Sequence, residues 1–518
     1  MLKTLPACLI ALIAGAIASF SFAPYQLWPI IFVSFAGLIY CLEHSQAPFR
    51  IGLFFGLGLF CTGLRWVHVS MYLFGGIPLT VSYLLVFVLA LYLALFPALA
   101  CYLACKWPYP RSAAFRYLAF PAAWMVGEWL RARLLTGFPW LMPGYSQVST
   151  PLANFASIVG VYGVSVIVLW VAAALYSALC SFTKSTSRRQ GLIALSIIVV
   201  AFALGTVLKN VTLTHAEKPL SVTLVQGNES IATKWAAPNR IPTLNRYWKM
   251  TRDSKADIVV WPESALPFTE YEAKDYLKTM DHILTQRHQT LITGIIHQNQ
   301  QTQQYYNALV VLGQKTADVA KSQPYQYNGP DRYYKRHLLP IGEFVPFASI
   351  LRPLAKLFDL PMSNFSRGKP DQPPIEVKGH HWLSAICYEI AFGTELNAMM
   401  KPDIDTILTI SNDTWFGHSI GPAQHLQIAQ MRAIEFQRPV VRATNTGITA
   451  LINRHGEISA ELPMFKTLAL NGTIIPATGQ SIYQRIGLWP IYILFIIALI
   501  GYWMAAKRVK NSPQNRLD

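Results

Sequence analysis

Long apolar runs limit what this chain can fold into more than any other feature. A bilayer core about 30 Å thick needs roughly 20 apolar residues per crossing helix. Runs of that kind occupy residues 5–22, 28–42, 51–73, 79–104, 117–134, 154–182 and 191–208, and another, IGLWPIYILFIIALIGYWMAA, covers 486–506. Between them, 210–480 has the mixed composition of a globular domain. With 53% hydrophobic and only 13% charged residues over 518 positions, the chain is too oily for an ordinary soluble protein. The expected organisation is seven transmembrane helices in 1–209, a large extramembrane domain in 210–480, and an eighth helix with a basic tail in 481–518. Lys3, an apolar stretch and the small-residue end ASFSFA also fit a cleavable signal peptide. The further spans and the even count favour a retained helix.

Charge sets the expected orientation. The loops after the second, fourth and sixth spans carry Arg50, Lys106, Arg111, Arg116, Lys184, Arg188 and Arg189, and the tail adds Lys507, Arg508, Lys510 and Arg516. The opposite loops hold Arg65, Arg131 and Arg133. By the positive-inside rule both termini are expected in the cytoplasm and 210–480 on the exocytoplasmic side. This bias, with anionic headgroups nearby, accounts for most of the net charge of +17 without a nucleic-acid partner. No CxxC or Cys/His spacing points to a metal. Six of the seven cysteines lie in the spans or at their edges, which leaves Cys387 alone in a domain expected to face an oxidising space. It is a candidate reagent, or else a buried structural thiol.

Within 220–475, SVTLVQGN, ADIVVWPESALP, TLITGIIHQN, YNALVVLG, HWLSAICYEI, DTILTISND and PVVRATNTGITALIN are strand-like, and helical patterns lie at about 239–254, 271–286 and 424–437. This alternation predicts a layered α/β domain. Three of its strand ends carry chemistry: Glu263 in VVWPESALP, Lys335 and Glu343 in YYKRHLLPIGEFVPF, and Cys387 with Glu389 in LSAICYEIAF. Singly, these are an ordinary loop acid, a surface lysine and a turn residue. Together they supply a nucleophile, a carboxylate to take and return its proton, and an ammonium that, with a backbone N–H such as that of Tyr388, stabilises an oxyanion. The cation is expected to favour the thiolate.

WPES, YYKRHLLPIGEFVP and ICYEI, in this order and spacing, resemble the Glu, Lys and Cys motifs of the nitrilase, or carbon-nitrogen hydrolase, superfamily. With the flanking helices, and with TGFPWLMPGYSQ, LVQGN, Lys234–Trp235, NDTWFG and RATNTG, nearly the whole chain resembles the bacterial apolipoprotein N-acyltransferase family. The resemblance implies an αββα sandwich carried on eight transmembrane helices, with Glu263, Lys335 and Cys387 as catalytic residues. It also implies a two-step reaction without a cofactor. Cys387 takes an acyl chain from a phospholipid, expected to be phosphatidylethanolamine, and passes it to the N-terminal amine of a diacylated apolipoprotein. The setting would be the inner membrane, with the catalytic domain periplasmic and the chain a monomer.

Other residues suggest contact with lipid. In SILRPLAKLFDLPMSNF (349–365), Leu351, Leu354 and Phe358 share a helical face, as in an interfacial arm that gates the site or in a short core helix. Trp235, Trp415 and Phe416 are candidates for the substrate passage, or for packing. Glu128 and Arg131, three apart, can pair. Two rival functions use the same sequence differently: a membrane-tethered amidase passing the acyl group to water, and a transporter or receptor that does no chemistry.

Overall fold

The computed structural model describes residues 3–109, 111–183, 188–340, 342–344 and 364–510. The chain divides into two units, one of Met1–His68, Pro78–Val211 and Arg485–Asp518, the other of Val69–Ile77 and Thr212–Gln484.

The first unit is helical. Among the described residues, five helices are long and apolar enough to cross a bilayer: Thr4–Ser21, Leu79–Ala104, Pro151–Ser181, Arg188–Leu208 and Trp489–Arg508. The expected span at 51–73 is instead a pair, Pro48–Gly63 and Val67–Phe74, bent by 55°. Pro29–His44 is apolar but short, and 117–134 yields only one α-helix, Phe120–Arg131, entered through a wider turn at Phe115–Ala119. Small residues let the helices approach closely. A Cβ on Gly15 would lie 1.9 Å from the Phe55 carbonyl oxygen, and one on Gly58 2.1 Å from that of Leu12. The paired charges are buried here: Arg131 bonds Glu128, Trp124 Nε1 donates to Glu128 at 3.1 Å, and Arg131 also donates to the carbonyls of Phe138 and Trp140 at 2.5 and 2.7 Å. Both carboxylate oxygens and both terminal guanidinium nitrogens thus have partners, which is what makes such charges tolerable away from water.

The second unit is built on strands β1 (Thr214–Ala216), β2 (Leu220–Gln226), β3 (Ile258–Val260), β4 (Thr290–Gln298), β5 (Tyr305–Gly313), β6 (Arg332–Tyr334), β7 (Ile375–Val377), β8 (His380–Ile386), β9 (Ile404–Ser411), β10 (Val440–Thr444), β11 (Ala450–Ile452), β12 (Ile458–Glu461), β13 (Leu468–Ile474) and β14 (Ala477–Gly479). Two six-stranded sheets run in the orders β13-β2-β3-β4-β5-β6 and β12-β11-β10-β9-β8-β7. Alternate residues of each central strand face opposite layers. Ile258, Val260, Leu309, Ile386, Leu408 and Val441 meet in a core between the sheets. Val259, Trp261, Leu291 and Val310 pack outward on Leu244, Leu277 and Leu284 of helices Ala237–Asp253 and Glu270–Gln286. Burial on both faces is why these strands read as unbroken apolar runs. Helices Gly393–Met399 and Gly421–Phe436 follow β8 and β9, completing the αββα order. The expected strand PVVRATNTGITALIN is two, β10 and β11, paired antiparallel across a turn.

The parallel triplets β2-β3-β4 and β8-β9-β10 set the position of the site. Reactive groups in such sheets gather beyond the carboxyl ends of the parallel strands. Glu263 follows β3, Cys387 follows β8 and Asn412 follows β9. β5 runs antiparallel to β4 and β6 antiparallel to β5, so β6 also delivers its end, with Lys335, in the direction of β4.

Candidate active site

Glu263 leaves β3 through a tight turn. Ser264 is left-handed at φ 48°, and a Cβ on Gly294 of β4 would stand 2.7 Å from Glu263 Cα, so only glycine permits this approach. Glu263 Oε2 accepts from the Asn412 backbone N–H at 2.7 Å, and Oε1 from Asn307 Nδ2 at 2.7 Å. The same Asn307 amide donates to Glu343 Oε1 at 2.8 Å. Lys335 Nζ lies between the two acids, 2.8 Å from Glu343 Oε2 and 3.6 Å from Glu263 Oε1. Burial alone would discharge this lysine, but Glu343 and then Glu263 hold its pKa above the ordinary value.

Cys387 begins the turn after β8, half-buried and left-handed at φ 55°. For a residue with a Cβ that conformation costs about 1–2 kcal/mol and persists only where neighbours impose it. Glu389 is one such neighbour. Its Oε2 accepts from the Ile386 N–H at 2.7 Å, and its Oε1 accepts from the N–H groups of Arg336 and His337 at 2.7 and 3.0 Å and from Tyr333 Oη at 3.0 Å. This buried carboxylate ties the loop carrying Lys335 to the turn carrying Cys387. The thiol is pushed up chiefly by burial and next by Glu263, against the pull of Lys335. Its resting form is therefore the protonated thiol, contrary to the expected thiolate, because burial and the carboxylate outweigh one ammonium.

Residues 14–174 match the apolipoprotein N-acyltransferase N-terminal domain, and 221–482 match the carbon-nitrogen hydrolase family. The chain is 40% identical over 505 residues to the apolipoprotein N-acyltransferase of Vibrio parahaemolyticus, an alignment covering 96% of this chain and 97% of that one. It is 43% identical over 501 residues to that of Shewanella oneidensis, covering 95% of each. The chain belongs to the apolipoprotein N-acyltransferase family.

In this family member the other expected residues take the following places. The Tyr388 ring is buried edge-on to Phe392, with centroids 5.0 Å apart. Trp415 lies three residues past Asn412, its ring edge-on to Phe74 at 5.2 Å and its carbonyl accepting from Ser70 Oγ at 2.7 Å. Phe416 packs against His425, which bonds the Cys387 carbonyl. Trp235 follows Lys234, whose Nζ donates to the Ser264 carbonyl at 2.6 Å. Burial lowers Lys234 to about 8 despite Glu263 and Glu229 nearby. Leu351 and Phe358 lie outside the described residues. Asn307, Tyr333, Asn412 and His425 escaped the sequence reading. Two of them lie in NDTWFG and YNALVVLG, where a polar residue bounding an apolar strand was the available signal. Among the described residues, no group of three or more His, Cys, Asp or Glu side chains is arranged to hold a metal ion.

Glu389→Ala leaves three peptide N–H groups and a phenol without their acceptor. The expected cost is about 3–5 kcal/mol of stability in the second unit together with loss of acylation. Thermal unfolding in detergent, with acylation measured in parallel, checks both.

Proposed function

We propose that this chain moves a fatty acyl group from a phospholipid, through a thioester on Cys387, to the N-terminal amine of diacylglyceryl-cysteine on lipoproteins. The observation that carries this reading is a half-buried cysteine on a left-handed turn, its thiol acted on electrostatically by both Glu263 and Lys335. In the first step Glu263 takes the thiol proton as the sulfur attacks the ester carbonyl carbon. Lys335, with the Tyr388 N–H, stabilises the oxyanion. Collapse breaks the ester C–O bond, and the lysophospholipid leaves with the proton from Glu263. In the second step the lipoprotein amine attacks the thioester carbonyl and gives its proton to Glu263. The sulfur departs and takes that proton back, leaving an amide. Glu343 and Asn307 keep Lys335 charged and aligned throughout.

Phosphatidylethanolamine is the proposed donor, and the chain acts as a monomer. All eight apolar segments cross the inner membrane, including the short Pro29–His44, the bent pair and the 117–134 segment. The termini are cytoplasmic and the catalytic domain is periplasmic, so that a lipid-borne ester and a lipid-borne amine can both enter. The rival is hydrolysis, which differs only in the acceptor.

Purified enzyme is to be mixed with phosphatidylethanolamine, with and without a synthetic diacylated lipopeptide. With acceptor, equal amounts of lysophospholipid and triacylated peptide are expected. Without it, mass spectrometry should show one acyl adduct on Cys387. Free fatty acid in place of acylated peptide establishes the hydrolase, and absence of any Cys387 adduct overturns the thioester route.

A further inference from the structure

Behind the cysteine turn lies a charged cluster that the acyl-transfer steps do not use. Asp413 follows β9, His425 stands on helix Gly421–Phe436, and Arg442 belongs to β10; each is at most 1% exposed. His425 Nε2 is 3.1 Å from the backbone carbonyl oxygen of Cys387, which can only accept, so this nitrogen carries the ring proton. Nδ1 then accepts from Arg442 Nη2 at 3.1 Å. Burial, followed by the Arg442 charge, lowers the His425 pKa and keeps the ring neutral. Asp413 Oδ1 sits 3.2 Å from Nδ1 and accepts from Ser411 Oγ at 2.6 Å, while its Oδ2 accepts from Arg442 Nη2 at 2.6 Å. The Arg442 charge holds Asp413 down at about 2, although burial opposes its charge.

A left-handed residue that bears a side chain must be held from outside. Glu389 grips the peptide N–H just before Cys387, and the imidazole grips the carbonyl just after it. We infer that His425 is a positioning residue for acyl transfer: its Nε2–H, aligned through Nδ1 by Arg442, which Asp413 in turn holds in place, fixes the Cys387 carbonyl and so aims the sulfur at the lipid ester. Asp413, Arg442, the Cys387 carbonyl and the Phe416 ring all pack against the imidazole. Held neutral, the ring is a fixed donor and exchanges no proton during the cycle. The inference rests on Cys387 as the nucleophile.

The test uses the full-length enzyme with phosphatidylethanolamine and follows acyl-Cys387 formation by mass spectrometry in single turnovers from pH 6 to 9. His425→Phe removes the donor but keeps a flat ring, and is expected to slow acylation about 100-fold, with KM for lipid within about threefold of native. His425→Gln restores an N–H donor and should return the rate to within about tenfold of native, with a superimposable pH profile. A folded Phe variant acylating at the native rate overturns the inference. So does a folded Gln variant as slow as Phe, or one that has lost a limb of the pH profile. Should the Phe variant fail to fold, Asp413→Asn weakens the ring's alignment without removing its donor. It is expected to slow acylation about fivefold to tenfold at unchanged KM, and a native rate there overturns the inference. Cys387→Ala is the control: acyl transfer by that variant defeats the proposed function itself, whereas normal acylation in a folded His425→Phe defeats only the positioning role.

Discussion

Cys387→Ala is expected to end acyl transfer, with a fall of at least about 10³-fold in kcat/KM and no acyl adduct on the protein. The sulfur is the one atom of the turn proposed to form a bond with substrate, and no other cysteine lies in the described part of the second unit. The fold should survive. The hydrogen bonds that shape the turn run through backbone groups and through Glu389 and His425, none of which the substitution touches. Alanine bears the same left-handed cost as cysteine, so thermal unfolding should shift by no more than a few degrees. Lysophospholipid release by a folded Cys387→Ala protein would remove the thioester from the mechanism.

Glu263→Gln has the second-largest expected effect, about 10²–10⁴-fold at neutral pH, the range for loss of a positioned general base. The resting thiol is what makes the base necessary. Burial is the largest cause holding the thiol up, Glu263 is the next, and Lys335 works the other way. Replacing the carboxylate therefore takes away the proposed proton acceptor and also relieves part of the upward push on the thiol. The residual rate should then follow the thiolate fraction, rising about tenfold per pH unit below the thiol pKa. Glutamine has one oxygen where the carboxylate has two, so either the Asn307 amide or the Asn412 N–H loses its acceptor, at about 1–3 kcal/mol. Thermal unfolding separates that cost from the kinetic one. A residual rate that stays flat with pH, or one within a few-fold of native, removes Glu263 from the role of base.

How far the site was legible depended on the residue. Glu263, Lys335 and Cys387 stood out because each ends a strand with a group suited to the same chemistry and lies in a motif that resembles those of a known family. Asn307 did not, since a polar residue near the start of YNALVVLG is unremarkable until β5 pairs with β4 and β6 and places its amide between two carboxylates. Glu389 was visible as an acid two residues from the thiol, but its place as an acceptor for four donors follows from the arrival of the 333–337 segment. The expected thiolate failed for a related reason: opposite charges can be counted along a chain, whereas their depth cannot. In the helical unit the apolar runs located the helices, yet the bend between Gly63 and Val67 and the shortness of Phe120–Arg131 were not evident from hydropathy.

The amino-acid sequence by itself determined the alternation of oily and mixed segments, the strand-and-helix order of the large domain, and which residue types end its strands. These follow from local periodicity and composition, which each stretch carries within itself. Only the tertiary structure decided how much charge the thiol feels, which amide bridges the acids, and what holds Cys387 left-handed. Those depend on groups 36 to 149 residues apart in the chain being brought within about 3 Å of one another. Sheet pairing, with burial between the layers, makes that approach, and no local pattern encodes it.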